Sequence, residues 1–294
     1  MSGRGRLQRV GIVGHLGRAS VRQAAERLRR ALTKSRTQVR LDAELARSVG
    51  QPGTPLPVLA RWCQLLVTLG GDGTALAGGR ALAGHRGALL PINFGGLGFL
   101  TVAEAAEADA AVRQAIAGRW PVRRRSMVRV RLMRREHAVY GGRALNDVVI
   151  KATGGGTAVH LQVETLGSDL GRLVADGLIA ATATGSTAYS LSAGGPVLAP
   201  EAAALLVTPV CAHSLGTRSL VLAPKDDLAV RVIGSSDRMS LLLDGHEHFE
   251  LLAGDTLVFR LVPDALRIVD NPERPFARAL RDKLGWQGSA RRSF

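Results

Sequence analysis

Apolar runs and helical spacings alternate along the first 120 residues of the chain. Val10–Val13, Leu65–Leu69 and Ala88–Ile92 are short, mostly apolar runs, which are typical of buried strands. Apolar positions in Val21–Leu32 and Ala103–Ala117 recur at the spacing of one helix face. Strand followed by helix, repeated, predicts a parallel sheet, so we expect an α/β domain over residues 1–120. The same pattern predicts a strand at Thr37–Leu41, a loop at Val49–Pro57 and a helix at Thr74–Leu82.

After Trp120 the pattern changes to many short strands with few helices. In Met127–Leu132, apolar residues alternate with arginines, which is typical of a strand with one buried face. We therefore expect a β-rich domain over residues 121–265. Helical spacing returns near the end, and we expect the segment 266–294 to pack back on the first domain. Further strands are predicted at Ala144–Ile150, Val159–Leu166, Leu220–Ala223, Leu228–Ile233, Ser240–Leu243 and Thr256–Val262.

The net charge of +15 and the isoelectric point near 11.3 first suggest a nucleic-acid partner. The 39 basic residues include only four lysines, and the arginines are spread over the whole chain. Aromatic residues make up 4% of the chain, which is too few for a base-stacking platform. A general preference for arginine over lysine explains the charge more simply. We expect no nucleic-acid partner, although the positive field favours a phosphate-rich small ligand.

The apolar stretches are too short for a membrane-spanning helix or the core of a signal peptide. The chain is therefore expected to have no membrane partner and to be cytoplasmic. Its two cysteines, Cys63 and Cys211, both lie in apolar surroundings and are expected to be reduced thiols in the core.

The first chemical signal is a glycine-rich turn, Gly70-Gly71-Asp72-Gly73-Thr74, between an apolar strand and a predicted helix. Glycines let the backbone turn sharply, and the N–H groups at the start of the next helix form a seat for phosphate oxygens. Asp72 is unexpected there, because a carboxylate repels phosphate. It can accept a proton from an attacking hydroxyl or help to hold Mg²⁺, and the alternative is a structural cap on the helix. The turn matches neither a Walker A loop nor the GxGxxG pattern.

Two shorter motifs follow. Pro91–Leu100 is a strand that runs into a second glycine-rich turn, which could line a pocket or be a plain turn. Asn146 and Asp147 are adjacent, and an amide next to a carboxylate can bind the vicinal hydroxyls of a ribose. Without further context, a polar start to a strand is the favoured interpretation of this pair.

The longest motif is Asp176–Pro196, which is rich in small polar residues. A strand ends there at a turn of threonine, glycine and serine that precedes a short helix. Hydroxyls and free helix N–H groups converge at such a turn, which suits a polar ligand such as an adenine edge or a phosphate. Tyr189 could stack on a base or fill the core.

In the order in which they occur, these motifs resemble the NAD kinase family, which uses ATP or polyphosphate to phosphorylate the 2′-hydroxyl of NAD. The glycine turn alone is shared with lipid kinases and some phosphofructokinases, whereas the Asp176–Pro196 stretch is much more specific. The resemblance implies an N-terminal α/β, Rossmann-like domain, a C-terminal β-sandwich-like domain, and NAD held between them. Further matching segments are Thr208-Pro209-Val210, His213-Ser214-Leu215, Asp244-Gly245 and the closing Leu280–Trp286.

Carried over by position, the resemblance assigns roles to individual residues. Asp72 takes the proton of the 2′-hydroxyl, and Gly73 and Phe99 line the same cleft. Asn146 and Asp147 hold ribose hydroxyls. Phosphates lie on Gly70, Gly71, Gly73 and Thr74. The remaining binding candidates are Asp176, Thr187, Ala188, Tyr189, Ser190, Leu191, Ser192, His160 and His246.

The resemblance further implies that Mg²⁺ enters with ATP, that no metal is fixed by protein ligands alone, and that the chain forms a homodimer or homotetramer. Asp147 and His246 depart from the residues common in the family, which are Glu and Gln. His246-Glu247-His248 favours a turn between strands over a metal site. Three other functions remain open: a lipid or sugar kinase with the same glycine turn, a non-catalytic dinucleotide sensor, and a basic nucleic-acid-binding protein.

Overall fold

The structure is a computed structural model that describes residues 7–95, 98–154 and 158–285, without the side chains of Glu247 and His248. Trp286, at the end of the closing motif, lies outside the described residues. The chain divides into two compact units of similar size. The first unit is Met1–Arg124 with Leu266–Phe294, and the second is Arg125–Ala265.

The first unit is a parallel sheet with helices. Its strands and helices are β1 (Arg9–Gly14), α1 (Ala19–Lys34), β2 (Gln38–Asp42), α2 (Ala43–Ser48), β3 (Gly53–Thr54), α3 (Leu56–Trp62), β4 (Leu65–Gly70), α4 (Asp72–Leu82), β5 (Ala88–Asn93), β6 (Ala103–Glu104) and α5 (Ala108–Ile116).

All strand pairs in this sheet are parallel, in the order β5-β4-β1-β2-β3, with β6 beside β5. Every residue of β4 and β5 is buried, as expected for strands covered on both faces. The chain builds β2 and β3 on one side of β1 and then returns to place β4 on the other side. This reversal creates a topological switch point between β1 and β4, and ligands of such sheets bind at the carboxyl ends of the strands there.

The second unit is a β-sandwich. Its elements are β7 (Val122–Arg134, of which the first residues belong to the first unit), β8 (His137–Ala144), β9 (Asp147–Ala152), β10 (Val159–Thr165), β11 (Ser168–Ala175), β12 (Gly177–Ala181), α6 (Tyr189–Ser192), β13 (Leu205–Val210), β14 (Leu220–Leu222), β15 (Leu228–Ser235), β16 (Met239–Leu243), β17 (Glu247–Leu251) and β18 (Thr256–Val269).

One sheet of the sandwich has the order β14-β13-β12-β9-β16-β17, and the other contains β11, β10, β15 and the first residues of β18. An apolar core between the sheets takes residues from both of them, including Ile150, Leu161, Leu178 and Val230. The fold class expected from the sequence, an α/β domain followed by a β-sandwich, is confirmed.

The end of the chain returns to the first unit. Arg267 and Ile268, at the end of β18, pair in parallel with Ala88 and Leu89 of β5. The helix α7 (Phe276–Leu284) follows and ends at Gly285, which has the left-handed backbone conformation typical of a helix C-terminus. No helix among the described residues is long and apolar enough to cross a membrane.

Three local predictions were wrong for identifiable reasons. Ala144–Ile150 is two strands, because the backbone N–H groups of Leu145 and Asn146 bond to a carboxylate and not to a neighbouring strand. The predicted helix at Ala103–Ala117 begins only at Ala108, since Ala103 pairs with Ile92 in the sheet.

The predicted loop at Val49–Pro57 contains the short strand β3 and the start of α3. Pro57 lies in the first turn of α3, where a missing N–H is tolerated. The expectation for the cysteines was half right, because Cys63 is buried and Cys211 is exposed.

Candidate active site

The glycine-rich turn joins the carboxyl end of β4 to α4 at the switch point of the parallel sheet. Gly70 is in tight surroundings, because a Cβ atom there would lie 2.3 Å from the Oγ1 atom of Thr74. Gly71 is different, since apart from its chain neighbours no heavy atom of the described residues lies within 4 Å of a Cβ atom built on it. Open space therefore adjoins the turn at the point where the first backbone N–H groups of α4 have no partner within the helix.

Asp72 is the first residue of α4, and Gly71 is the N-cap. The carboxylate of Asp72 makes no capping hydrogen bond, so Asp72 is not the helix cap that the sequence left open as an alternative. The Oδ2 atom accepts the backbone N–H of Phe99 at 3.0 Å, and the Oδ1 atom accepts that of Leu100 at 3.3 Å. These bonds fix a half-buried carboxylate at the glycine turn and leave its remaining lone pairs for a ligand.

The second glycine-rich turn begins at the carboxyl end of β5, next to β4. The side-chain oxygen of Asn93 accepts the backbone N–H of Gly95 at 2.9 Å, which forms a local turn. The backbone N–H of Phe94 donates to the carbonyl of Gly70 at 2.9 Å. The two glycine turns are thus hydrogen-bonded to each other, next to the cleft that the family resemblance assigned to both of them.

The second unit has a cavity of about 310 Å³ at the start of β9. Four of the predicted binding residues line it: Asn146, Asp147, Ala188 and Tyr189. Tyr189 is 42% exposed, so its ring is available to a ligand and does not fill the core. The other lining residues are Val149, Lys151, Leu242, Asp244 and Gly245.

Asp244 organises the wall of this cavity. Its carboxylate accepts the backbone N–H groups of Leu145, Asn146 and Asp147 at 3.1, 2.7 and 3.3 Å. The backbone N–H of Asp244 in turn donates to the carbonyl of Asp147 at 2.9 Å. These hydrogen bonds separate the end of β8 from the start of β9 and hold the Asn146-Asp147 dipeptide at the wall of the cavity.

Asp147 is buried, with 5% of the residue exposed, and the pKa of its carboxyl group is shifted from the usual value. Burial, with a further contribution from the negative charge of Asp244, raises the pKa of Asp147 to about 7. The carboxyl group of Asp147 therefore changes its charge near neutral pH. In its protonated form it can donate a hydrogen bond, and as a carboxylate it can only accept one. Next to it, the buried Oδ1 atom of Asn146 has no hydrogen-bond partner among the described residues.

The run of small polar residues after β12 forms a compact turn next to Asn146. The hydroxyl of Thr182 donates to the carbonyl of Leu145 at 2.6 Å and accepts the backbone N–H of Gly185 at 3.0 Å. A Cβ atom on Gly185 would lie 2.0 Å from the carbonyl oxygen of Asn146, so only glycine fits there. The hydroxyls of Ser186 and Thr187 also bond to carbonyls of the run, so with Thr182 they hold the turn together.

Several predicted binding residues lie elsewhere in the second unit. Ser190 is fully buried, and its hydroxyl bonds to that of Thr208 at 2.8 Å, so it supports the helix α6 from the core. Asp176, His160 and Ser192 are exposed. Thr187 and Leu191 are half-buried, and His246 is exposed with its ring against the carbonyl of Asp244 at 2.6 Å. These seven residues do not belong to the described lining of the cavity.

Sequence reasoning missed Lys151 and Val149 as cavity residues. Asp147, Val149 and Lys151 alternate along β9, so their side chains share one face of the strand. This period of two could have revealed them once the ends of the strand were known. Among the described residues, no group of three or more potential metal ligands comes together.

Comparison with known families covers both units. Residues 10–120 match the ATP-NAD kinase N-terminal domain, and residues 145–270 match the ATP-NAD kinase C-terminal domain. An NAD kinase of Pseudomonas putida (strain GB-1) is 34% identical over 286 residues, which are 95% of this chain and 96% of that protein. An NAD kinase of Symbiobacterium thermophilum is 38% identical over 261 residues, 88% of this chain and 92% of that protein.

Two solved structures are similar in fold. A yeast NADH kinase complexed with NADH has a TM-score of 0.90 at 27% identity, and the match covers 99% of this chain and 91% of that one. An NAD kinase from Archaeoglobus fulgidus in complex with ATP has a TM-score of 0.73 at 22% identity, covering 94% of this chain and 97% of that one.

Proposed function

The chain belongs to the NAD kinase family of transferases that phosphorylate NAD. We propose that it transfers the γ-phosphoryl group of ATP to the 2′-hydroxyl of the adenosine ribose of NAD and so makes NADP. The family description, ATP-NAD kinase, supports ATP as the donor. The yeast relative of similar fold, which was solved with NADH, supports a dinucleotide as the acceptor.

Asp72 is the proposed catalytic base, and the observation that carries the proposal is the position of its carboxylate. Two backbone N–H groups, from Phe99 and Leu100, hold it at the start of α4 beside a glycine turn with open space in front. The first N–H groups of a helix favour phosphate oxygens, and a fixed carboxylate can accept the proton of an attacking hydroxyl. Phosphoryl transfer needs mainly positioning and charge neutralisation, and this turn supplies both.

The cavity at Asn146 and Asp147 is proposed to bind a ribose of NAD. Asn146 offers an amide, Asp147 offers a carboxyl group, and the two are adjacent, as binding of vicinal hydroxyls requires. The unpaired Oδ1 atom of Asn146 would gain a partner from a ligand hydroxyl. Tyr189 provides an exposed ring on which a base can stack.

Mg²⁺ fits the site only together with the donor. The described residues hold no three-ligand metal cluster, and because each oxygen of the Asp72 carboxylate accepts a backbone N–H group, this carboxylate offers a metal only its remaining lone pairs. Mg²⁺ keeps several waters and binds readily to nucleotide phosphates, so the phosphates of ATP would supply most of its ligands. When bound, it would neutralise charge on the transferring phosphoryl group.

The test is the formation of NADP by the purified protein with NAD, ATP and Mg²⁺, for the wild type and for Asp72→Asn. We expect Asp72→Asn to bind NAD but to lose about 10²- to 10⁴-fold in turnover, because a general base contributes that much. Asp109→Asn is the matched control, since Asp109 also lies in a first helix turn of this unit but pairs with Arg27. Near-normal turnover of Asp72→Asn would remove this residue from the role.

The same assay with inorganic polyphosphate in place of ATP tests the second donor that the family uses. A homodimer or homotetramer and a cytoplasmic location are also proposed, with the family resemblance as their support. Light scattering of the purified protein measures the oligomeric state directly.

A further inference from the structure

Lys283 is a half-buried cation at the end of α7, and the proposed reaction does not yet use it. Its ammonium lies 4.0 Å from the centroid of the Phe99 ring. Phe99 is the residue whose backbone N–H bonds to the carboxylate of Asp72. Helix α7 therefore brings a positive charge to the residue whose backbone holds the proposed base.

The surroundings of the Lys283 ammonium compensate only part of the hydration that this charge loses on burial. No carboxylate of the described residues lies within ion-pair distance of Lys283, and an aromatic face replaces only part of the lost hydration. Burial lowers the pKa of Lys283, and the nearby charge of Asp72 partly offsets the effect. The ammonium has three rotatable donors, so an anion at the glycine turn could bond to it directly.

The composition of the chain makes this lysine unusual. Only four of the 39 basic residues are lysines, namely Lys34, Lys151, Lys225 and Lys283. Arginine carries the positive charge almost everywhere else. A compact ammonium on a flexible stem can approach a single phosphate oxygen in a confined space, whereas the planar guanidinium needs room for its fork.

We propose that Lys283 binds an oxygen of the transferring γ-phosphoryl group beside Asp72 and is a further catalytic residue. The inference rests on the proposed role of Asp72. In the step, the ribose oxygen forms a bond to the γ-phosphorus, while the bond from that phosphorus to the bridging oxygen breaks. The electron pair leaves with ADP, and the hydroxyl proton passes to Asp72. The ammonium neutralises charge on the phosphoryl oxygens throughout.

The first experiment uses the wild-type protein, whose four lysines make amine labelling simple to interpret. The protein is acetylated at low reagent concentration, and the rate at each lysine is followed by mass spectrometry with and without saturating Mg-ATP. We expect ATP to slow the labelling of Lys283 by about tenfold or more, since bound phosphate occupies its donors. Exposed Lys34 should label at the same rate in both conditions. Equal rates at Lys283 would overturn the proposal.

The second experiment measures turnover of Lys283→Met, Lys283→Arg and the control Lys34→Met. Removing one donor from a transition-state site typically lowers kcat by about 10²- to 10³-fold, and we expect this for Lys283→Met with little change in the KM for NAD. Lys283→Arg keeps the charge and should recover part of kcat, although its guanidinium fits a confined space less well. A merely structural lysine would instead lower the temperature of thermal unfolding without this selective loss of kcat. Circular dichroism and thermal unfolding confirm that each variant is folded.

The two roles can fail separately. If Lys283→Met turns over normally while Asp72→Asn is inactive, the lysine proposal is wrong and the base stands. If Asp72→Asn turns over normally, the proposed role of Asp72 fails, whatever the lysine variants do. Unchanged ATP protection of Lys283 in folded Asp72→Asn would then show that the lysine binds phosphate independently of that base.

Discussion

A Cβ atom on Gly98 would lie 1.9 Å from the Oδ1 atom of Asp72. The carboxylate fills the space that any larger residue at position 98 would need. Gly98→Ala must therefore displace the carboxylate from the N–H groups of Phe99 and Leu100 without changing the acid itself. We expect turnover to fall by about 10²-fold or more, toward that of Asp72→Asn, because a displaced base no longer reaches the hydroxyl.

The control for this variant is Gly234→Ala in β15, where the added Cβ atom meets no heavy atom of the described residues within 4 Å, apart from its chain neighbours. Steady-state kinetics of both variants, with thermal unfolding to confirm folding, make the comparison. Normal kcat in a folded Gly98→Ala protein would show that the position of the Asp72 carboxylate does not matter for catalysis.

The carboxylate of Asp244 positions the predicted ribose-binding dipeptide. Asp244→Ala would leave three backbone N–H groups, of Leu145, Asn146 and Asp147, without their acceptor. Each buried, unsatisfied donor costs about 1–3 kcal/mol, so we expect a clear loss of unfolding free energy and weaker binding of NAD. Urea unfolding and calorimetric titration with NAD measure the two effects.

Asp244→Asn is the matched variant, since one side-chain oxygen remains to accept the N–H of Asn146. Its losses should lie between those of the wild type and Asp244→Ala. If Asp244→Ala bound NAD as tightly as the wild type, the dipeptide would not need this support or would not bind the coenzyme.

The buried carboxyl group of Asp147 should make stability depend on pH. Its pKa is raised from 3.8 to about 7, so in this range the folded protein keeps a proton that the unfolded chain has lost. The free energy of unfolding therefore decreases as the pH rises from about 4 to about 7 through this group, and then levels off. Asp147→Asn removes the titration, and its stability relative to the wild type should increase across the same window.

Urea unfolding of the two proteins at a series of pH values between 5 and 8 checks this prediction. The difference in unfolding free energy between them is the informative quantity, because other titrating groups cancel in it. A difference that does not change with pH would contradict a raised pKa of Asp147.

The sequence predicted the first unit well because its signals are local. The apolar run at β4 and the glycines that follow specify a strand, a turn and a helix within 20 residues. Asp72 could be singled out for the same reason, since a carboxylate in a turn that is predicted to bind phosphate needs an explanation.

The cavity of the second unit depends on contacts between distant residues, which the sequence does not display. Asp244 lies 98 residues from Asn146, yet its carboxylate ends β8 and starts β9. The pattern of apolar residues therefore predicted one continuous strand through Leu145. It gave no indication that Lys151 lies beside the Asn146-Asp147 dipeptide. Ser190 also shows a contact that the sequence does not display, because its hydroxyl bonds to that of Thr208, 18 residues away, in the core.

Gly185 gives the most direct test of how the Thr/Gly/Ser turn supports the cavity. A Cβ atom there would lie 2.0 Å from the carbonyl oxygen of Asn146 and 2.4 Å from its carbonyl carbon. Both atoms belong to the backbone, and the oxygen accepts the N–H of Thr182 at 2.9 Å, so no side chain can move aside. Gly185→Ala must therefore shift Asn146 itself. We expect a stability loss of about 1–3 kcal/mol, as for other overpacked sites, and a loss of NAD affinity.

Gly216→Ala is the control for this variant, because an added Cβ atom there meets nothing within 4 Å. Thermal unfolding reports the strain, and titration of the folded protein with NAD reports the displacement of Asn146. A Gly185→Ala protein that is less stable but binds NAD normally would separate the two effects. In that case the turn would support the fold of the second unit, and the ribose-binding role of Asn146 would have to be given up.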